Sequence, residues 1–294
     1  LISGVWIWLL NGLAPRQPFL DTRPFKAFFA SIPVGVALYF VPIPLKLHIH
    51  VSIALMAMVI VPAILATRYS RERRGLERAL PDFIRDVSEG RKIGLPPEGA
   101  IEQLANKNYG RLSKSVKRMG SQLSWGLTLA KVISTFTAQV NSWVTRVVGT
   151  LMLEVVDVGG GTVKSFSEMA DFTRKVNDME SDQRSALKPY VFVTYMAGLL
   201  LVITTFLMVF FLSQPATLIK GVATSAATAA LSAPPPETID GLLTAAIFES
   251  FVVGLVAGKM GEGSVAEGFK HAFVLVLLSV LTILIAGTIV PTSA

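Results

Sequence analysis

Residues 68–92 read RYSRERRGLERALPDFIRDVSEGRK, and the fold turns on how they are interpreted. Leu76, Leu80, Phe83, Ile84 and Val87 recur at three- and four-residue intervals, with Arg78, Asp82, Arg85 and Asp86 between them. That period places the apolar side chains on one stripe of an α-helix and the charges on the other side. The stretch opens a longer segment, Arg68–Pro189, which lacks any apolar run of membrane length. It holds 20 of the 27 Lys and Arg residues and 14 of the 20 Asp and Glu residues, for a net charge of +6. The rest of the chain is arranged around it.

Moving outward, apolar runs of bilayer-spanning length flank this segment on both sides. Ala27–Leu45 and Leu47–Ala66 precede it, with Pro42 and Pro44 ending the first and Lys46 in the tight turn between them. Val191–Leu212, Gly241–Gly258 and Ala272–Val290 follow it, and of these only the second carries a charge, Glu249. The composition agrees with a membrane protein: 52% hydrophobic, 16% charged, mean hydropathy +0.57. No cysteine is present, which excludes disulfides, thiolate nucleophiles and Cys-based metal sites. Leu1–Leu13 is too short to span and lacks the basic start of a signal peptide. It reads as the tail of a cut span or as an interfacial piece anchored by Trp6 and Trp8. A chain that starts at Leu1 is expected to be a fragment of something longer.

Charge sets the expected orientation. If residues 14–26 are cytoplasmic, five crossings put Arg68–Pro189 and Lys259–His271 on that same side. Together these segments hold 25 of the 27 Lys and Arg residues, leaving only Lys46 and Lys220 outside. The residues that count most are those beside the spans, and there Arg68, Arg71, Arg73, Arg74, Arg184 and Lys188 agree. The net charge of +7 therefore reads as a cytoplasmic face before it reads as a nucleic-acid surface. Ser213–Asp240 reads as an outer loop with a short helix at Thr217–Ala230, and Lys259–His271 as a short cytoplasmic loop.

Within the central segment the spacing predicts six helices. Gly90 and Gly94 close the first, and Pro96-Pro97 opens the second, which carries Ala100, Ile101, Leu104 and Ala105. After a break at Tyr109-Gly110, the third sets Leu112, Val116, Met119 and Leu123 against Arg111, Lys114 and Arg118, and Gly126 ends it. Thr128–Val140 is the fourth. Trp143–Val158 is apolar almost all round, with only Arg146, Glu154 and Asp157 charged, and is expected to be the central buried helix. Gly159-Gly160-Gly161 breaks the chain before a long sixth helix, Thr162–Lys188, and Pro189 marks a kink or short loop. The expected fold is all-α: a polytopic membrane protein with about five transmembrane helices and an inserted six-helix cytoplasmic bundle. Its parts are residues 1–26 (partial or interfacial helix and linker), 27–67 (transmembrane hairpin), 68–189 (helical domain) and 190–294 (three-helix transmembrane region).

Three stretches resemble a known family. They are Leu80-Pro81-Asp82-Phe83 with Gly94-Leu95-Pro96 and Ala100 to Ala105; Tyr109-Gly110-Arg111-Leu112 followed by Gly126; and Gly159-Gly160-Gly161 followed by an amphipathic helix and Pro189-Tyr190. Their order and spacing resemble the F domain of type II secretion and type IV pilus systems over Leu76–Tyr190. Gly254 to Ser264, followed by Lys270-His271-Ala272, is similar to the archaeal branch, the archaellum assembly platform FlaJ. The family's usual Gly-Glu-x-x-Gly turn is absent before the sixth helix. The family usually carries two F domains, so the single one here implies the C-terminal half of a longer protein. The resemblance implies a platform without chemistry of its own, with no cofactor or metal. It implies a hexameric secretion ATPase docked on the cytoplasmic side, pilin- or archaellin-like filament subunits as clients, and a homodimer.

Several residues stand out as candidate sites. Lys107, Arg111, Lys114, Lys117 and Arg118 form the basic face expected to meet an acidic rim of the ATPase; the ordinary alternative is a solvated helix face or attraction to anionic headgroups. Arg68, Arg71, Arg73 and Arg74 read as positive-inside anchoring. Glu249, near the middle of its run, is expected to be protonated or paired to another helix. The small residues of Gly254–Gly258 suit close helix packing. His48 and His50 do not share a helix face, have no acidic neighbour in sequence, and read as interfacial. Gly159–Gly161 lacks the Lys-Ser/Thr of a phosphate loop and reads as a turn. No triad, paired carboxylates or nucleotide motif appears. The competing class is a transporter or channel subunit, for which only Glu249 speaks.

Overall fold

The computed structural model describes residues 23–40, 46–140, 142–157, 162–213 and 235–289. Among these, every regular element is helical: α1 Arg23–Tyr39, α2 Leu47–Lys92, α3 Pro97–Leu104, a 3₁₀ turn Gly110–Leu112, α4 Ser113–Ser124, α5 Leu129–Gln139, α6 Trp143–Asp157, α7 Val163–Ser213, α8 Pro236–Glu262 and α9 Val265–Ile289. Residues 1–13, the Pro42/Pro44 turn, Gly159–Gly161 and the short outer helix lie outside the described residues. The chain divides into two compact units. The described parts of residues 22–67 and 187–294 make up one, and 68–186 the other.

Two expected boundaries disappear. α2 runs 46 residues through the basic cluster, because Arg, Glu, Ala and Leu are all strong helix formers and no cap interrupts them. It passes Gly90 as well and stops only before Gly94, whose φ of +88° suits glycine. α7 runs 51 residues with Pro189 inside it, so the proposed short loop is absent. Proline removes one ladder hydrogen bond; Ala186, Leu187 and Lys188 before it favour helix, and the apolar run after it satisfies its backbone internally only as a helix in a bilayer.

In the unit of residues 68–186, the helical segments from α2 to α7 contribute to one core. Ile84, Val87, Ile101, Val116, Val132 and Phe166 are fully buried. Burying a side chain of this kind contributes about 1.5–3 kcal/mol. α2 and α7 run antiparallel within it. The Ser88 hydroxyl donates to the carbonyl of Val163 at 2.9 Å, and the Asn177 amide donates to the carbonyl of Glu77 at 2.7 Å. The expectation of a central, all-round buried α6 is wrong. Val144, Val148 and Met152 face the core, but Val147 and Leu151 are 36% and 40% exposed. An apolar sequence shows that a helix can be buried, not how many neighbours it receives.

In the other unit, α8 and α9 form a tight hairpin. The expected loop Lys259–His271 is helix apart from Gly263 and Ser264, and Gly263 makes the turn with φ +73°. A Cβ on Gly254 would collide with the backbone of Ala272, and one on Gly258 with the backbone of Gly268. The small residues therefore do serve close packing, and they do so within the chain. Val202, Ile247, Phe251, Phe269 and Val276 are among the buried residues of this core. Phe28 of α1 stacks on Phe269 with ring centroids 5.1 Å apart. Four helices, α2, α7, α8 and α9, are long and apolar enough to cross a membrane, which makes this a multi-pass membrane protein. The described part of α1 has 17 residues and is not one of them.

Candidate partner surface and a buried charge network

The basic face is built on α4 and the turn before it. The helix period points Val116, Met119 and Leu123 into the core, so Arg111, Lys114, Lys117 and Arg118 are left exposed. The structure does not hold the five cations alike. Lys107 pairs with Asp86 of α2 at 2.7 Å. The Tyr109 hydroxyl donates to the same carboxylate oxygen at 2.5 Å, and its ring meets Phe83 edge-on at 5.6 Å. Burial, and then the Asp86 carboxylate, push the Tyr109 hydroxyl far above its ordinary range. Lys107 is thus part of a tether that holds the α3–α4 turn on α2. Arg118 donates to the Gln139 side chain at the end of α5. Arg111 lies across α2 at Gly75, where a Cβ would collide with its Cδ. Lys114 and Lys117 are exposed and have no ion pair among the described residues.

The membrane-flanking cluster also divides. Arg68 and Arg71 are exposed. Arg74 donates to the Ser70 hydroxyl, with Nε at 2.8 Å. Arg73 turns towards Glu77, 3.7 Å away.

Glu77 is the residue that the sequence reading passed over. It is 4% exposed and accepts from the Ser142 hydroxyl at 2.7 Å. Ser142 in turn accepts from the backbone N–H of Thr145 at 3.2 Å, capping α6. One carboxylate therefore joins α2 to the start of α6, while the Glu77 carbonyl binds Asn177 of α7. Burial pushes the Glu77 carboxyl above its ordinary range. Arg73 and the Ser142 hydrogen bond pull it back, Glu180 adds to the rise, and Arg184 opposes it. A charged residue three positions from Leu80 and one from Leu76, on the apolar stripe, was the available signal.

Glu249 sits on an exposed face of α8 beside Phe248, which is 52% exposed, and has no hydrogen bond or ion pair among the described residues. Among the described residues no other helix supplies it a partner. His48 is not merely interfacial: it is buried and lies 2.9 Å from Asp240 of α8, a partner 192 residues away. At the α8–α9 turn, Lys270 pairs with Glu262 and lies 3.7 Å from Glu267. These charges are turned onto one another across the turn. The Tyr195 hydroxyl and His271 Nδ1 are 2.8 Å apart, linking α7 to α9. Among the described residues no cluster of three or more His, Asp or Glu could hold a metal ion.

The region from the end of α2 to the apolar part of α7 has a known counterpart. Residues 83–210 match the family model of the type II secretion system (T2SS), protein F. The protein F match takes in α3 to α6 and the buried face that surrounds Ile101, Val116, Val132 and Phe166. It begins after Glu77 and after the basic cluster of Arg68–Arg78. A further similarity is to an uncharacterized protein of Methanocaldococcus jannaschii, 24% identical over 202 residues. That alignment covers 69% of this chain and 32% of the relative, so the chain spans about a third of the relative's length. No solved structure matches.

Proposed function

We propose that the chain is part of a membrane platform for assembling an archaellum-like, type IV pilus-related filament. The carrying observation is the protein F match on a helical unit with its own core, in a chain with four span-length helices. The match to a protein of Methanocaldococcus jannaschii favours the archaeal branch. In this reading residues 68–189 face the cytoplasm and receive a hexameric secretion ATPase. The membrane helices bear on pilin- or archaellin-like subunits, and the platform works as a homodimer. The chain itself carries no catalytic chemistry, cofactor or nucleic-acid site. Lys114 and Lys117 form the centre of the ATPase surface, since their charges are exposed and have no ion pair among the described residues, and a positive patch steers an acidic rim. Lys107 contributes less, being tied to Asp86.

The test is capture of the candidate ATPase by the full chain in detergent, comparing the wild type with Lys114→Glu/Lys117→Glu. Capture should fall at least tenfold and weaken with salt in the wild type. Undiminished capture by the reversed variant would remove this surface. Labelling of a cysteine placed at Lys114 only from outside intact cells would remove the orientation.

A further inference from the structure

We propose that Arg71, Arg78 and Arg111 form a binding site for the phosphate headgroup of an anionic phospholipid. Three observations carry it. First, Gly75 leaves room on α2 for the stem of Arg111, with Nε 3.2 Å from where a Cβ would stand. Arg111 is 36 positions further along the chain, yet it is brought onto the α2 surface between Arg71 and Arg78. Those two lie four residues before and three after Gly75, within about 5–6 Å along a helix face.

Second, the charges are uncompensated. Arg71, Arg78 and Arg111 are all exposed. None has an ion pair among the described residues, whereas Arg73, Lys107 and Arg174 do. Glu72 is the one acidic residue between Arg71 and Arg78 apart from the buried Glu77. Guanidinium groups offer planar pairs of donors that match phosphate oxygens.

Third, the site lies on the right helix. Arg68–Arg78 continues the same α2 whose earlier part is the apolar run Leu47–Ala66, one of the four span-length helices. Arg71 stands five residues past Ala66, about 8 Å along the helix, and Arg78 about 18 Å, so the site starts at the headgroup layer and extends outward from it, where an anionic surface attracts basic residues. A soluble acidic partner has no such reason to meet this end of α2. This inference uses only the reading of α2 as a span, so failure of ATPase capture leaves it intact.

The experiment titrates the detergent-solubilised full chain with fluorescent phosphatidylglycerol and, in parallel, phosphatidylcholine. The anionic lipid should bind at least tenfold more tightly. Arg71→Gln/Arg78→Gln/Arg111→Gln should lose about a hundredfold, at about fivefold per charge. Gly75→Ala changes no charge and improves helix propensity, yet its Cβ displaces Arg111, so it should lose about fivefold. Inorganic phosphate should fail to displace the lipid at equal concentration. Equal binding of the two lipids, an unaffected Gly75→Ala variant, or displacement by equimolar phosphate would each overturn the proposal. So would a triple variant that keeps the lipid and loses an acidic protein partner instead.

Discussion

Replacing Glu77 tests the buried network most sharply. The carboxylate is 4% exposed, accepts from Ser142 and faces Arg73 at 3.7 Å. Glu77→Ala leaves the buried Ser142 hydroxyl without its acceptor and removes the carboxylate that faces Arg73, and a buried group left unsatisfied costs about 1–3 kcal/mol. Opening a small cavity adds to this, so a loss of about 2–4 kcal/mol is expected. Glu77→Gln keeps an oxygen for Ser142 and removes the buried charge, so it should change stability by less than about 1 kcal/mol at neutral pH. The pH dependence separates charge from packing. Burial raises the Glu77 pKa above its ordinary 4.5. The fold therefore favours the protonated form, and this contribution to stability is complete below 4.5 and lost as pH rises through the raised value. Thermal melts of the full chain in detergent, followed by tryptophan fluorescence between pH 4 and 8, should show the wild type losing stability over this rise more steeply than Glu77→Gln. Identical slopes for the two proteins, or an unchanged Glu77→Ala melt, would refute the reasoning.

Two further outcomes follow from packing. Phe166 is fully buried in the first turns of α7, so Phe166→Ala should cost about 3–5 kcal/mol, read as a lower denaturant midpoint of the wild-type transition. Gly258→Leu should sharply lower the yield of monodisperse protein, because its side chain collides with the Gly268 backbone. Gly241→Leu, with nothing within 4 Å of a Cβ there, should leave the yield unchanged in gel filtration.

Much of the fold was legible because the helical period repeats without ambiguity. Leu76 to Val87 and Leu112 to Leu123 are stripes that can be buried on one side only, and both are. What could not be read was decided by distant partners. Nothing near His48 in sequence announces Asp240, and nothing near Glu77 announces Ser142. Boundaries failed for a related reason. Gly90 and Pro189 are signals of a helix end, but each is a single unfavourable residue, outweighed at Gly90 by the rest of α2 and at Pro189 by an apolar run whose backbone is satisfied as a helix in a bilayer. In the Lys259–His271 segment, charge was taken for exposure, whereas Lys270, Glu262 and Glu267 satisfy one another across the turn. On the candidate surface, the identity of the exposed cations was readable. Their differing commitments to Asp86, Gln139 and Gly75 were not, because those partners lie on other helices.

The two-residue connection at Gly263-Ser264 has a mechanical consequence. Its three Cα-to-Cα steps reach at most about 11 Å, and the glycine contacts below it hold the two backbones together. Neither a lipid tail nor a guest helix can wedge itself between α8 and α9, and a pull on one of them drags the other along. Any helix moving beside them meets the pair as a single post.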